Sequence, residues 1–560
     1  QASGGGDASM FIGQNVYNDG AWNYINTNES SFIQFKNGTI QFATAASGSA
    51  DATITFTYPF IVDINSRISL SNNDSGTSNT VFGYGAGMPT GTNSNNNVII
   101  GHETFDLVAN DGAVGNTFVG YRVARGNPTS TTDHNVGIGY GAMNKDGASG
   151  DNNIAIGTAA GDALTSATND VLIGKAAGGA LNVGGDNIAI GENALSSATN
   201  TGGVVAIGHE AGASINSNDA NLSVLIGFNA GDAITDGSLN VGIGYNALGS
   251  NVSGDKNVAI GYQAGEDYNP TADYGNSVFV GHQAGLNVST ARKATIIGNA
   301  AVGLGVMTGH QNTVIGNEAG YDLTSGTTNV IIGDEAGANL TTGKDNVIIG
   351  QSAGDATTDT SGSVIIGMAA GGTMAAGANA NTFIGYNAGA NDGTMTGDAN
   401  VVIGYNTAKT LTTATDNTIV GKAAGLTLTT GNYCSIVGAS SNVNATGAQS
   451  RMILGFGVSN PTDNSVRIGS GGSFISNTFT SNATWAHSSD GRLKENIEDD
   501  SLGLSFINDL RTVTYNWKKQ KDIPENLKNE SGFEKDTENK QHGMIAQEVK
   551  KALDKHNIDS

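Results

Sequence analysis

One segment near the C-terminal end combines residue types that could hydrolyse a peptide bond. It reads Ser489-Asp490-Gly491-Arg492-Leu493-Lys494 and places a hydroxyl group and a primary amine five positions apart. A lysine beside a serine hydroxyl can act as a general base when burial or neighbouring cations lower its pKa. Nothing in the sequence establishes such burial. Taken alone, the segment is more typical of a polar turn followed by a solvated lysine.

Aromatic and imidazole side chains recur directly after a glycine that ends a repeated phrase. Seven of the 15 tyrosines occupy this position: Tyr84, Tyr121, Tyr140, Tyr245, Tyr262, Tyr386 and Tyr405. On a regular scaffold they would line one edge, either packing at a corner or between chains, or forming a stripe for stacking sugars. His102, His209 and His282 share the position, but six repeats separate the first two, so the three cannot share a metal ion.

The remaining candidate ligands predict no metal and no cofactor. Cys434, the single cysteine, can form no intramolecular disulfide and is interpreted as a small buried apolar residue. Acidic turns such as Asp334-Glu335 and Asp355 offer oxygen ligands for Ca²⁺, but the glycine-aspartate nonapeptide of calcium β-rolls is absent. Glycine-rich strings such as 83–87 recur with the repeat and open no helix, which favours turns over nucleotide-binding loops.

An internal repeat organises most of the chain. The phrase Asn-Val-x-Ile-Gly recurs, as in 97–101, 257–261 and 346–350, and its final glycine returns every 17 to 20 residues. The glycines are 83, 101, 120, 139, 157, 174, 191, 208, 227, 244, 261, 281, 298, 316, 333, 350, 367, 385, 404, 421, 438 and 455. A fixed period of this size is typical of a solenoid protein.

The repeat predicts one coil of a parallel β-solenoid or β-roll, with about 22 coils in all. The β-branched residues three before and one before the glycine alternate with the residue between them, which is the period of a strand. Each unit is expected to hold two short strands and two turns. We expect the Val/Ile positions to form a thin core and the residue between them to point outward. Because that residue is often apolar, side-by-side association is expected, as a homotrimer about 100 Å long.

Composition excludes several classes of function. Gly supplies 82 of 560 residues, aromatic residues reach 6%, and the net charge is −24. Because large side chains are so few, the composition favours a narrow interior over several deep cores. The acidic balance excludes a protein that depends on phosphate contacts, so no nucleic-acid partner is expected. No apolar run approaches the ~20 residues that span a bilayer, so no membrane insertion is expected.

The repeated phrase resembles the head repeats of trimeric autotransporter adhesins of the YadA type, whose motif is close to Asn-Ser-Val-Ala-Ile-Gly. That resemblance covers residues 80 to 440 and implies a trimeric left-handed parallel β-roll. The repeats here are longer than that family's.

Composition also separates the flanking segments. We predict an N-terminal β module at 1–80, a solenoid shaft at 81–440, a β neck at 441–489 and a mixed α/β domain at 490–560. In the first, 31–35 and 39–42 flank Asn37-Gly38 as a hairpin. In the last, apolar spacing predicts helices at 501–510 and 545–553 and a strand at 511–517, and the polar segment 518–541 is expected to be a loop.

The C-terminal segment resembles the intramolecular chaperone of phage tail spikes and fibres, the peptidase S74 or endosialidase-type domain. The resemblance rests on Ser489 to Ile497, on 515–518 and on His542 to Val549. It implies a domain that assembles three chains and then cleaves itself off between Ser489 and Asp490, with Ser489 and Lys494 required. The family continues into further helices beyond this point, so we expect the domain to be cut short at Ser560.

Together these features predict a structural and host-binding phage tail fibre or spike, located in the virion. Its partners would be two further copies of the chain, other tail proteins and a host surface receptor, for which a glycan is one candidate. No enzyme acting on an external substrate is expected. The alternatives are a polysaccharide-degrading tailspike, which needs paired carboxylates in an aromatic groove, and a bacterial trimeric surface adhesin.

Overall fold

The structure is a computed structural model, and it divides the chain into two units, residues 1–485 and 486–560. It describes residues 9–18, 21–36, 39–62, 68–70, 78–87, 94–105, 112–125, 132–145, 150–217, 221–271, 275–390, 394–479, 486–487, 503–516, 518 and 540–556. Within these ranges, no helix has the length and apolar character needed to cross a bilayer.

A small antiparallel module forms the beginning of the first unit. Its strands are β1 Ser9–Gln14, β2 Val16–Asn18, β3 Trp22–Tyr24, β4 Ser30–Lys36, β5 Thr39–Ala45, β6 Thr57–Val62 and β7 Ile68–Leu70. Five of them form one sheet in the order β1-β4-β5-β6-β7. Lys36 pairs with Thr39, so β4 and β5 are joined by two residues, and the predicted hairpin is confirmed. Trp22 stacks on Phe32 at a centroid distance of 4.8 Å inside this module.

The rest of the first unit is a parallel β-solenoid of about 21 turns, so the predicted fold class is confirmed. Its strands are β8 Thr80–Phe82, β9 Val98–Ile100, β10 Thr117–Tyr121, β11 Val136–Tyr140, β12 Ile154–Ile156, β13 Val171–Ile173, β14 Val183–Gly185, β15 Ile188–Ile190, β16 Asn200–Gly202, β17 Val205–Ile207, β18 Val224–Ile226, β19 Val241–Ile243, β20 Val258–Ile260, β21 Val278–Val280, β22 Thr295–Ile297, β23 Thr313–Ile315, β24 Val330–Ile332, β25 Val347–Ile349, β26 Val364–Ile366, β27 Thr382–Ile384, β28 Val401–Ile403, β29 Thr418–Val420, β30 Ser435–Val437, β31 Asn442–Val443, β32 Arg451–Phe456, β33 Ser459–Asn460, β34 Ser465–Ser470 and β35 Ser473–Thr478.

One continuous ladder joins the repeated phrases. Each phrase pairs in parallel with the same phrase of the next coil, as β24 pairs with β25 through Val330↔Val347 and Ile332↔Ile349. The ladder runs from β8 to β34 and ends where β35 pairs antiparallel with β34. Sequence repeat and structural coil therefore coincide.

The prediction of which side chains in the phrase face the core is wrong. A buried asparagine at the start of the phrase reverses the inner and outer positions. The Asn346 backbone N–H and Nδ2 both donate to Asn329 Oδ1 of the preceding coil, at 3.1 and 3.0 Å, and Nδ2 also donates to Thr360 O at 2.7 Å. With this side chain inside, Val347 and Ile349 point outward and are half-buried, while Ile348 between them is fully buried. The same alternation recurs along the ladder, so the residues three before and one before the glycine form the outer face and the residue between them belongs to the core.

The second predicted strand of each coil is also mostly absent from the described residues. Only the pairs β14–β16 and β31–β33 form there. Elsewhere the chain turns through left-handed residues, such as Glu318 at φ 51° and Gly320 at φ 53°. Hydrogen bonds between coils persist all the same: the Asp322 N–H donates to Ala338 O at 2.8 Å. The backbone is thus paired without being extended.

The glycine that ends each phrase has no substitute at its position. Gly333 has φ +140°, which L side chains rarely adopt, and a Cβ there would lie 2.5 Å from Gly350 O of the next coil. The same close approach repeats from Gly83 to Gly455. This contact explains why glycine recurs once per coil.

The solenoid interior is narrow and filled by small and medium apolar side chains. Each coil adds the middle residue of the phrase, an alanine and a larger residue from the turn, such as Ile331, Ala336 and Leu340. Cys434 is buried and free, as predicted. At the C-terminal end of the asparagine column, buried Arg451 donates from Nε to Asp463 Oδ1 at 2.7 Å and from Nη1 to Asn460 O at 2.8 Å.

The second unit is small and mixed in structure. Its described elements are β36 Ala486–His487, α1 Leu504–Asp509, β37 Thr512–Tyr515, β38 Gln541–Met544 and α2 Ala546–Lys555. The two predicted helices and the predicted strand are therefore confirmed with shifted ends. The predicted loop at 518–541 lies almost entirely outside the described residues.

Candidate functional site

Aromatic rings form stacked columns on the outer surface of the solenoid. Tyr84, His102, Tyr121 and Tyr140 stack in succession, with ring centroids 5.2, 5.3 and 4.9 Å apart. The spacing follows from the ladder, because equivalent residues of successive coils lie one strand separation apart. In β10 and β11 the strand continues through the glycine to the tyrosine, so these rings share the outer face with the β-branched residues.

A second column continues the pattern further along the chain. It contains His209, Phe228, Tyr245, Tyr262 and His282, with centroid distances of 4.7 to 5.6 Å and interplanar angles of 6 to 13°. A third, shorter column pairs Tyr386 with Tyr405 at 5.2 Å. The three histidines singled out in the sequence are therefore members of ring stacks.

Stacking inside the column restricts what the tyrosines can bind. A sugar stacks on the face of an aromatic ring, but the faces of Tyr121 and Tyr245 are covered by neighbours on both sides. Their edges remain exposed, as the 42% exposure of Tyr245 indicates. The geometry therefore favours packing between coils or between chains over a sugar-stacking stripe.

Polar side chains replace the rings in the four coils that follow the second column. Asn299 Nδ2 donates to Asn317 Oδ1 at 2.8 Å, and Asn317 Nδ2 donates to Asp334 Oδ1 at 3.0 Å. Each acceptor belongs to the next coil, so this row is also stabilised along the solenoid axis. Within the described ranges, no three His, Cys, Asp or Glu side chains are grouped closely enough to hold a metal ion.

In the second unit, a two-stranded sheet brings together two of the sequence motifs. β37 and β38 pair antiparallel through Thr514↔His542 and Tyr515↔Gln541, and Gly543 lies against the Tyr515 ring. The motif that begins at Tyr515 and the motif that begins at His542 are thus neighbours. Arg511, just before β37, donates from Nε and Nη2 to the Glu548 carboxylate of α2 at 3.0 and 2.6 Å.

A comparison with known families identifies this unit. Residues 489–558 match the family model for the chaperone of endosialidase, Peptidase S74. The chain thus carries an S74 chaperone domain at 489–558, joined to a β-solenoid body. No curated protein and no solved structure matches the chain.

Ion pairs join the helices of the S74 domain. Asp509 at the end of α1 accepts a hydrogen bond from Lys555 Nζ at 2.8 Å and lies 2.7 Å from His556 Nε2. These two hydrogen bonds, the one from Lys555 first, hold the pKa of the Asp509 carboxyl below its usual value. Similarly, the hydrogen bond from Arg511 lowers the pKa of Glu548. Both carboxylates are therefore ionised at neutral pH and act as links between elements.

The three residues predicted for self-cleavage, Ser489, Asp490 and Lys494, lie outside the described residues. Their assignment therefore stays a prediction. Sequence reasoning missed the contact between Arg511 and Glu548, because the two residues are 37 positions apart and no local pattern connects them. It also missed the buried asparagine column, although the signal was present in the asparagine that opens most phrases.

Proposed function

We propose that the protein is a structural and host-binding phage tail fibre or spike whose three chains are assembled by the C-terminal S74 domain. The observation that carries this proposal is the match of residues 489–558 to the chaperone of endosialidase. A long β-solenoid next to such a domain is the architecture expected of a fibre that needs an assembly factor. A single coil cannot bury its apolar side chains alone, so a partly formed ladder exposes apolar residues and an unpaired strand edge and is prone to aggregation.

The outer face of the ladder supports association of several copies. In most coils, two β-branched or other apolar side chains are half-buried on this face, such as Val330 with Ile332 and Val347 with Ile349. Over about 21 turns they leave on the order of 1,000 Å² of apolar surface, enough for a standard protein interface. The sequence predicted association through the middle residue of each phrase. The two residues that flank it face outward, and these support association instead.

Sedimentation velocity of the full chain tests the assembly. We expect a mass of three chains and a high frictional ratio, because three solenoids side by side remain elongated. A compact monomer at micromolar concentration would contradict the proposal.

Self-cleavage is the second part of the proposal. Overall, water would add across the Ser489–Asp490 peptide bond, leaving a carboxylate on Ser489 and an amine on Asp490. The family resemblance implies that the Ser489 hydroxyl is required together with Lys494, which would accept a proton during the attack. Ser489→Ala and Lys494→Ala should each leave the product of the complete gene intact, while wild type splits at this bond. Mass spectrometry of the purified products reads the outcome. Equal cleavage in wild type and both variants would indicate an external protease.

Host binding is separated from the alternatives by two assays. A binding fibre decorates susceptible cells and releases no oligosaccharide from host surface polysaccharide, whereas a tailspike enzyme releases reducing ends steadily. Labelled antibody against the solenoid should mark the tails of intact phage particles. Marking of the bacterial surface in the absence of phage would instead favour an adhesin.

A further inference from the structure

Large apolar side chains are concentrated on the last strands of the solenoid. Met452, Leu454 and Phe456 of β32, Ile475 of β35 and Phe479 just after β35 are 46, 49, 63, 40 and 59% exposed. We call these five residues the C-terminal apolar patch. By contrast, the corresponding residues of mid-ladder coils, such as Val330 and Ile332, are half-buried.

The strand register places four of the five patch residues on one surface. Leu454 pairs with Ile468 of β34, and Ile468 pairs with Ile475 of β35, so the three side chains form a row across three strands. Residues two apart on a strand share a face, which adds Met452 and Phe456 on β32 to this surface. The patch therefore continues the outer face of the ladder, with larger side chains.

The area and charge of the patch suit contact with another copy of this chain. Its five side chains expose on the order of 500 Å², a large part of the ~800 Å² that each partner contributes to a standard interface. Residues 435–479 contain three charged residues, Arg451, Asp463 and Arg467, for a net charge of +1. Arg451 is buried and paired with Asp463. In a chain of net charge −24, copies therefore meet here without the repulsion that acts elsewhere.

The regular part of the ladder does not determine the axial register of the chains in the assembly. Sliding one solenoid past another by one coil, about 4.8 Å, brings nearly identical Val and Ile side chains back into contact. A repeating interface therefore specifies the axial register of its chains weakly. A contact that occurs once per chain removes this degeneracy, and the part of the chain that the structure describes contains one such patch.

We propose that the C-terminal apolar patch packs against the same patch of neighbouring copies and fixes the register of the chains. This inference rests on the proposed assembly of several chains. The patch also lies in the sequence shortly before residue 489, where the S74 domain begins. Contact between patches would thus align the chains at the end that carries the domain, and the ladder would associate from there.

The test compares two double variants of the full chain. Leu454→Gln with Phe456→Gln makes the two most exposed β32 positions of the patch polar and changes no core side chain. Leu304→Gln with Val306→Gln is the matched control, because Leu304 and Val306 are 61 and 59% exposed and lie in a turn outside the outer face of the ladder. Both are made with Thr158→Cys labelled with pyrene maleimide, since Thr158 is exposed and the native Cys434 is buried. Excimer emission requires two labels at similar heights, and circular dichroism verifies that the solenoid is folded.

We expect excimer emission from the unsubstituted and control proteins and at least a fivefold loss of the excimer-to-monomer ratio in the patch variant. The loss occurs whether the variant stays oligomeric with mixed registers or dissociates. A patch variant that keeps its excimer, or an unsubstituted oligomer that gives none, overturns the inference. An unsubstituted chain that sediments as a monomer contradicts the proposed assembly instead, so the two failures are distinguishable.

Discussion

Asp170 occupies a rung of the buried column that asparagine fills in most coils. Its Oδ1 accepts hydrogen bonds from Asn187 N and Nδ2, both at 2.9 Å, but its buried Oδ2 has no partner among the described residues. At the rung before it, Asn153 Nδ2 donates to Ala167 O at 2.8 Å. A carboxylate cannot make this donation, and its burial raises the pKa of Asp170 to about 6.

We therefore predict that Asp170→Asn stabilises the solenoid at neutral pH. The folded pKa lies above the unfolded value of 3.8, so the carboxyl is protonated in both states below about pH 4 and destabilises the fold once ionised. The free energy of unfolding should rise by up to ~3 kcal/mol at pH 7 in the variant. The advantage over wild type should grow from pH 4 to 6 and then level off.

Denaturant unfolding across this pH range measures the effect. Asp416→Asn, the same change at an exposed aspartate directly before the column residue Asn417, is the control and should not give this gain in stability. A constant difference between Asp170→Asn and wild type from pH 4 to 7 would contradict the assignment.

The phrase glycines give a second prediction. Gly333→Ala combines an unfavourable φ of +140° with a Cβ 2.5 Å from a backbone oxygen, so we expect a loss of ~3 kcal/mol or more. Gly472→Ala is the control, because a Cβ there would meet nothing within 4 Å. Thermal melts of both variants decide the point, and equal melting temperatures would show that the glycine contact is dispensable.

At the scale of the element, each three-residue strand places its middle side chain in the core and its two flanking side chains on the outer face. Ile365 is fully buried between half-buried Val364 and Ile366. We predict that Ile365→Ala costs 2–5 kcal/mol in any association state, because it leaves a cavity in a core with few other atoms. Val364→Ala should have little effect on an isolated chain and should weaken association of several chains. Unfolding and sedimentation measured on the same samples separate the two effects, and equal unfolding costs would contradict the alternation.

The same alternation shows where prediction from the sequence succeeds and where it stops. The period of the repeat and the repeated phrase are local features of the sequence, so they predicted the coil, the ladder and the pairing of equivalent residues. Which side of the strand is inside depends on hydrogen bonds between coils, and the outer Val and Ile are as apolar as the inner residues. The asparagine that directly precedes the strand in most coils, such as Asn346 before Val347, carried the missing information. In the S74 domain, the spacing of apolar residues predicted the helices. It could not predict the ion pairs of Asp509 and Glu548, which join residues far apart in the sequence.

At the scale of the whole molecule, the charge of −24 opposes any contact between copies. We therefore predict that association strengthens with salt, because screening shortens the range of the repulsion to ~8 Å at physiological ionic strength and to ~3 Å at 1 M. Sedimentation at increasing sodium chloride concentration should show a rising oligomer fraction. An oligomer that dissociates in salt would mean that ion pairs, and not the apolar face, hold the copies together.

The stacked rings also determine which spectroscopic signals report on each part of the protein. Trp22, Trp485 and Trp517 all lie outside the repeats, so tryptophan fluorescence does not report on the solenoid. Rings held face to face at about 5 Å, as in Tyr121 and Tyr140, couple their electronic transitions and are fixed in a chiral setting. Near-ultraviolet circular dichroism of tyrosine therefore follows the melting of the solenoid coils themselves, while the tryptophan signal follows the flanking parts.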